Sequence, residues 1–286
     1  MPQALTPFLF VFLWSTGFIG ARFGLPYAGP LTFLLLRYAF VIALMGGLAV
    51  LARAPWPNDR RKTVHIAITG VLLHAVYLGG VFIAIHRGLP AGITALIVGM
   101  QPLLTAALAR PLLGEPVSTR QWIGLALGLC GVGLVVVGKM GHGEQTDLAS
   151  ALPPALCALV GITAGTLWQK RFCPSFDLRT GSVIQFVASL VVTLPVALAT
   201  ETMQVQWHGE FVFALAWLVL VLSIGAISLL NLLIRRGSAV NVAGLFYLTP
   251  PTTALLAWAI FGETLTPIAL AGMCIAVLGV WLARRR

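Results

Sequence analysis

Long uncharged apolar runs, broken by short polar or basic segments, alternate along the whole chain. Scanning for runs near 20 residues, the length a helix needs to cross about 30 Å of hydrocarbon, finds ten. They lie near 4–21, 30–52, 64–85, 90–110, 119–138, 149–169, 181–200, 211–234, 239–261 and 266–283. None alternates with a period of two, so the pattern predicts helices and no sheet. The polar connections are too short to fold alone, so residues 1–286 are expected to form a single transmembrane domain. The first run has no basic leader and no small-residue cleavage site, and is expected to be a retained span and not a signal peptide.

Composition agrees. The chain is 59% hydrophobic and 9% charged, against roughly 25% charged residues in soluble proteins. Its formal charge of +10 would suggest nucleic acid in a soluble chain, but here the cations are sorted by side. Of eighteen Lys and Arg, Arg37 falls inside a run, Arg22, Arg87 and Lys139 fall in connections on one side, and the remaining fourteen on the other. Basic loops stay in the cytoplasm, so both termini are expected there, with an even number of crossings. The basic surplus is a topological signal facing a lipid bilayer, and no nucleic-acid partner is expected. Cys130, Cys157, Cys173 and Cys274 have no metal-ligand spacing and are expected as small hydrophobes in helix contacts. No metal, cofactor or catalytic residue is expected.

A stretch of the chain is written twice. "MQPLLTAALARPLLGE" at 100–115 returns at an offset of 148, pairing Pro102 with Pro250, Thr105 with Thr253, Ala109 with Ala257, Gly114 with Gly262 and Glu115 with Glu263. The match continues through Gly124 with Gly272 and Gly131 with Gly279. The expected repeats are 1–140 and 148–286. Five runs per copy is an odd number, so the second copy must cross the membrane in the opposite sense. Inverted repeats recur in secondary transporters, with the substrate site near the midplane between the halves. The fold class expected is an all-α integral membrane protein of ten transmembrane helices in two inverted-topology five-helix repeats.

Pro102, Pro250 and Pro251 fall within their runs, where a proline removes a backbone donor and crowds the carbonyl four residues back. In lipid that carbonyl needs another partner or a wet cavity, so these prolines mark either packing kinks or the cavity wall. The glycines of runs five and ten let helix backbones approach closely.

These motifs resemble the drug/metabolite transporter superfamily, in its ten-span EamA-type branch. The resemblance rests on Pro102, Gly114, Glu115, Gly124 and Gly131, echoed by Pro250, Gly262, Glu263, Gly272 and Gly279, with "FLWSTGF" around Trp14 and "LTFLLLRYAF" around Arg37. Within it, Tyr77, Gln101 before Pro102, and Asn231 are similar in order to the YddG-like exporters of amino acids. The resemblance implies alternating access in an inner membrane and a small-molecule substrate such as an amino acid.

Polar groups at membrane depth are costly unless they face protein or water, which makes them candidates for the site. His74 and Tyr77, three residues apart, share a helical face and are expected to line a pocket with Gln101. Gln101 could equally satisfy the carbonyl freed by the proline kink. Trp14 and Tyr247 offer ring faces to an apolar or cationic group. Asn231 could cross-link helices, and Trp168 could serve as a gate or as an interfacial anchor. Arg37 could snorkel outward, pair with a carbonyl or meet a substrate carboxylate. None of the eight Asp and Glu falls at membrane depth, which argues against carboxylate-based proton antiport. A sugar-nucleotide or phosphometabolite exchanger would need several cavity-facing cations, and a membrane-embedded enzyme a nucleophile and base set. Neither pattern is present in the sequence.

Overall fold

Each apolar run becomes a helix because its polar ends leave the hydrocarbon and its backbone groups have nowhere else to bond. The computed structural model describes residues 5–89, 94, 97–137, 148–236, 239–261 and 266–284. The helices are α1 (Thr6–Gly24), α2 (Pro30–Leu51), α3 (Arg60–His86), α4 (Gln101–Leu113), α5 (Thr119–Val137), α6 (Leu148–Phe172), α7 (Leu178–Thr200), α8 (Gly209–Arg236), α9 (239–261) and α10 (Pro267–Arg284). Six of them (α2, α3, α6, α7, α8 and α9) are long and apolar enough to cross a membrane, and α1 and α10 are shorter apolar helices. The described residues contain no strand beyond an isolated bridge between Ala28 and Val205.

Three helices depart from α geometry where the expected runs gave no warning. Within α3, Val71–Leu78 is a π-helix, and within α8 so is Leu218–Ala226. At the 148-residue offset these two segments coincide to within a residue. In α9 the turn Leu245–Leu248 is a 3-10 helix that leads into an α segment starting at Thr249. The α segment of α4 likewise starts at Gln101 after a turn at Gly99–Met100. Pro102 and Pro250 are therefore second residues of α segments at matching places. Pro102 follows a turn, where the missing N–H deprives no helical carbonyl, whereas Pro250 and Pro251 stay inside α9 directly after its 3-10 turn. Expected as packing kinks or cavity wall, these prolines stand where the backbone geometry changes.

The tightest helix pair is α5 against α10, and glycine makes it possible. A Cβ on Gly124 would fall 2.6 Å from the Gly279 carbonyl, and one on Gly131 2.6 Å from the Gly272 carbonyl. As the chain rises from 124 to 131 in α5, its contacts fall from 279 to 272 in α10, so the two helices run antiparallel. Each glycine meets the repeat-mate of the other, the relation a two-fold axis produces.

Polar contacts tie the helix ends together. At one end, Lys170 Nζ donates to the Ile234 carbonyl at 3.2 Å and lies 4.0 Å from Glu115, Arg171 donates to the Leu112 carbonyl at 2.8 Å, and Arg235 donates to the Phe176 carbonyl. At the opposite end, Glu201 accepts from the Leu31 and Thr32 amides, both at 2.8 Å, and from the Thr32 hydroxyl at 2.6 Å. That satisfies donors at the start of α2, whose own N-cap, Gly29, has no side chain. Glu115 follows Gly114, which takes the left-handed cap conformation (φ 70°) that ends α4. Glu115 thus stands just past the end of its helix; Gly262 and Glu263 lie outside the described residues. The cysteines differ from expectation: Cys130, Cys157 and Cys274 are exposed on the outer, apolar surface and only Cys173 is buried.

Candidate functional site

A cavity lies between α1, α2, α3 and α8 and is partly open to the exterior; its unfilled space, with the open mouth counted in, is about 650 Å³. Its polar lining comes from Trp14, Arg37, His74 and Tyr77, and the rest of its wall is hydrocarbon and glycine. Both π-helices contribute to it: Leu73, His74, Tyr77 and Leu78 from α3, and Leu222 from α8. A π-turn carries more residues per turn than an α-turn and leaves backbone carbonyls differently aimed, which is why such turns recur at functional sites. Here the His74 carbonyl accepts the Tyr38 hydroxyl at 2.7 Å, and the Ser223 hydroxyl donates to the Leu218 carbonyl five residues back at 3.0 Å.

The aromatic wall is ordered by ring packing. Trp14 lies parallel to Tyr77 within 7°, with centroids 6.3 Å apart. Phe246 of α9 meets Trp14 edge-on at 5.3 Å, and Phe10 closes the same group. The His74 imidazole stacks on Phe186 of α7 at 4.2 Å, and neither of its nitrogens has a hydrogen-bond partner among the described residues. Arg37 is 1% exposed. Its Nε donates to the Ser223 hydroxyl at 2.8 Å, so the side chain is tethered inside the bundle and does not snorkel to the surface.

The other candidates lie elsewhere. Gln101 is fully buried between α4 and α6, donating to Thr105 at 3.2 Å and to Thr166 at 3.5 Å, with no partner for its Oε1 among the described residues. Tyr247 is buried against α5, where a Cβ on Gly128 would fall 2.4 Å from its ring. Asn231 accepts from Gln169 at 2.8 Å, joining α6 to α8, as an interhelical amide was expected to do. Trp168 packs with His65 and Phe172 near the α6 terminus. Pro102, Pro250 and Pro251 border the segment breaks and not the cavity. Four of the seven binding candidates thus converge, and Gln101, Asn231 and Tyr247 do not join them. Ser223 was not singled out from the sequence; a serine two residues before a glycine inside a long apolar run was the available signal. Among the described residues no group of three His, Cys, Asp or Glu side chains gathers.

The sequence profile of the EamA-like transporter family matches residues 2–137 and again 150–285. The chain belongs to the EamA-like transporter family. This places it in the drug/metabolite transporter superfamily, as a membrane transporter. Among its relatives, the Escherichia coli K12 protein named "Uncharacterized inner membrane transporter YedA" is 26% identical over 96% of this chain and 88% of that one. The Salmonella typhimurium "Probable amino-acid metabolite efflux pump" is 24% identical over 96% of this chain and 92% of its own length. The Streptantibioticus cattleyicolor "Probable terminal-alkyne amino-acid exporter" is 26% identical over 97% and 92%. A solved crystal structure superposes with a TM-score of 0.80 over 98% of this chain and 95% of that one at 18% identity, a likeness of fold alone.

Proposed function

We propose that this transporter exports small net-neutral amphipathic metabolites, amino acids foremost, by alternating access between two inverted halves, 1–140 and 148–286. The observation that carries the reading is the cavity itself, which lies where α1, α2 and α3 of the first half meet α8 of the second. Ten spans in opposed halves are supported by the antiparallel, glycine-matched crossing of α5 and α10, by π-helices at matching places, and by the 148-residue spacing of the two profile matches. The basic bias of one set of loops supports cytoplasmic termini in an inner membrane. The amino-acid reading draws on two relatives whose names carry that substrate class, and on a cavity whose hydrocarbon wall suits a side chain. A phosphometabolite exchanger fits less well, because Arg37 is the single cation among the described lining residues.

In this scheme Trp14, His74 and Tyr77 contact the solute, while the Gln169–Asn231 bridge and the Lys170 and Arg235 contacts close the end that the basic loops assign to the cytoplasm. The test is counterflow of a labelled amino-acid panel in proteoliposomes, with Trp14→Ala, His74→Ala and Tyr77→Ala alongside. Saturable flux that falls in all three variants, with the folded fraction unchanged, is the expected result. Flux that the three variants leave intact would remove the cavity from the pathway.

A further inference from the structure

The Arg37 guanidinium has five N–H donors, and the structure uses only its Nε. That donor is taken by Ser223, and Ser223 in turn directs its own hydroxyl proton to the Leu218 carbonyl. The serine is thereby fixed as an acceptor, and the plane of the guanidinium is set from its Nε side. Nη1 and Nη2 make no hydrogen bond or ion pair among the described residues. Arg37 is 1% exposed and forms part of the cavity lining. The nearby polar lining consists of Trp14, His74 and Tyr77, none of which carries a negative charge at neutral pH. The described carboxylates are engaged near helix ends, with Glu201 capping α2, Glu210 accepting from Tyr27, Asp59 and Asp177 capping α3 and α7, and Glu115 beside Lys170.

A buried guanidinium with no counter-ion is unfavourable unless an anion reaches it, and two adjacent free N–H arms match the two oxygens of a carboxylate. Resting on the export reading above, we propose that Arg37 is the carboxylate anchor of the cavity. The solute's carboxylate sits on Nη1 and Nη2, its side chain lies against the hydrocarbon wall of α3 and α8, and any ammonium group faces the Trp14 and Tyr77 rings. Carboxylate-bearing solutes are thereby selected over amines and amides of the same shape, and Ser223 is a positioning residue that aims the fork.

The experiment varies the ligand first, so that no variant need fold. Purified protein in nanodiscs, in chloride-free buffer, is titrated with phenylalanine, 3-phenylpropanoate, phenylalaninamide and phenethylamine, and in a separate arm with chloride, reading displacement of labelled phenylalanine and the shift in melting temperature. The expected result is binding of both carboxylates, with the amide and the amine weaker by about tenfold to a hundredfold, the loss of a charge-assisted hydrogen-bond pair. Arg37→Gln should abolish that discrimination while Arg37→Lys keeps part of it, and Ser223→Ala should narrow it. Equal binding of acid and amide overturns the proposal, as does unchanged discrimination in Arg37→Gln, or stabilisation by chloride with no further effect of carboxylates. Absence of binding by either carboxylate also overturns it. If carboxylates bind with the stated selectivity but no member of the panel crosses a proteoliposome membrane, the anchor stands and the export reading falls.

Discussion

Adding one methyl group at Gly131 tests whether the α5–α10 crossing is as close as it is drawn. The Cβ of an alanine there would lie 2.4 Å from the Ala276 amide nitrogen, 2.6 Å from the Gly272 carbonyl and 2.8 Å from the Ala276 Cα. All three neighbours are backbone, so no rotamer change relieves the overlap. Ordinary contact begins near 3.4 Å, so the helices must separate by about 1 Å. A gap of that order forfeits a quarter to a half of the dispersion well for each separated atom pair, and overpacking of this kind costs roughly 1–3 kcal/mol. Gly133 is the control: two residues further along the same helix, a Cβ there meets nothing within 4 Å, and Gly to Ala inside a helix gains about 0.5–1 kcal/mol of backbone entropy. The two substitutions should therefore have opposite signs. In detergent thermal melts, Gly131→Ala should lower the midpoint by a few degrees, at about 2–4 °C per kcal/mol, and Gly133→Ala should leave it level or raise it. Equal midpoints for the two variants would show that the glycines do not set the crossing distance.

Glu201→Ala strands the Leu31 and Thr32 amides at the head of α2 and should cost about 1.5–3 kcal/mol, read as a lower melting midpoint; Glu201→Gln should recover part of it. Asn231→Ala leaves the buried Gln169 amide without its 2.8 Å partner and should cost about 1–3 kcal/mol, whereas Gln169→Leu with Asn231→Leu should cost less than the sum of the singles. The Asp177 carboxyl is held below its ordinary 3.8, first by the side-chain hydrogen bond from Arg179. Its contribution is therefore complete above that value and lost as pH falls through the lower folded value. Asp177→Asn should flatten stability against pH below about 4, and an unchanged acid limb would refute the pairing. At the opposite end, Tyr27 donates to Glu210 at 2.8 Å, and that bond raises its hydroxyl pKa above 10.0. The stability it adds is whole below the unfolded value and fades at more alkaline pH, so Tyr27→Phe should remove an alkaline loss that the parent protein shows.

Hydropathy located the helices because lipid leaves backbone groups no alternative to helix. It placed the ends less well. The α3 run was expected to begin near 64, yet the helix starts at Arg60, because Asp59 caps it through the Arg61 amide at 2.8 Å and a polar first turn carries no hydropathic signal. The matching positions of Pro102 and Pro250 followed from the duplication. The π-helices did not, since nothing in "VLLHAVYL" or "LVLVLSIGA" distinguishes a π-turn from an α-turn by composition. Within the site, His74 and Tyr77 were expected to face the same way, and both line the cavity with Trp14 and Arg37. Depth alone could not separate these from Gln101, Asn231 and Tyr247, because a residue's depth in the membrane does not specify its azimuth around the helix. Gln101 turns toward Thr105 and Thr166, and Tyr247 toward Gly128, for reasons that lie in neighbouring helices.

A π-turn, bonded five residues apart, takes more residues to complete a circuit than an α-turn, so each residue of Val71–Leu78 advances by less than the roughly 100° of an α-helix. The bearings at which His74 and Tyr77 leave the span are thus a property of its winding, and the same eight residues wound as an ordinary helix would send these two side chains in other directions.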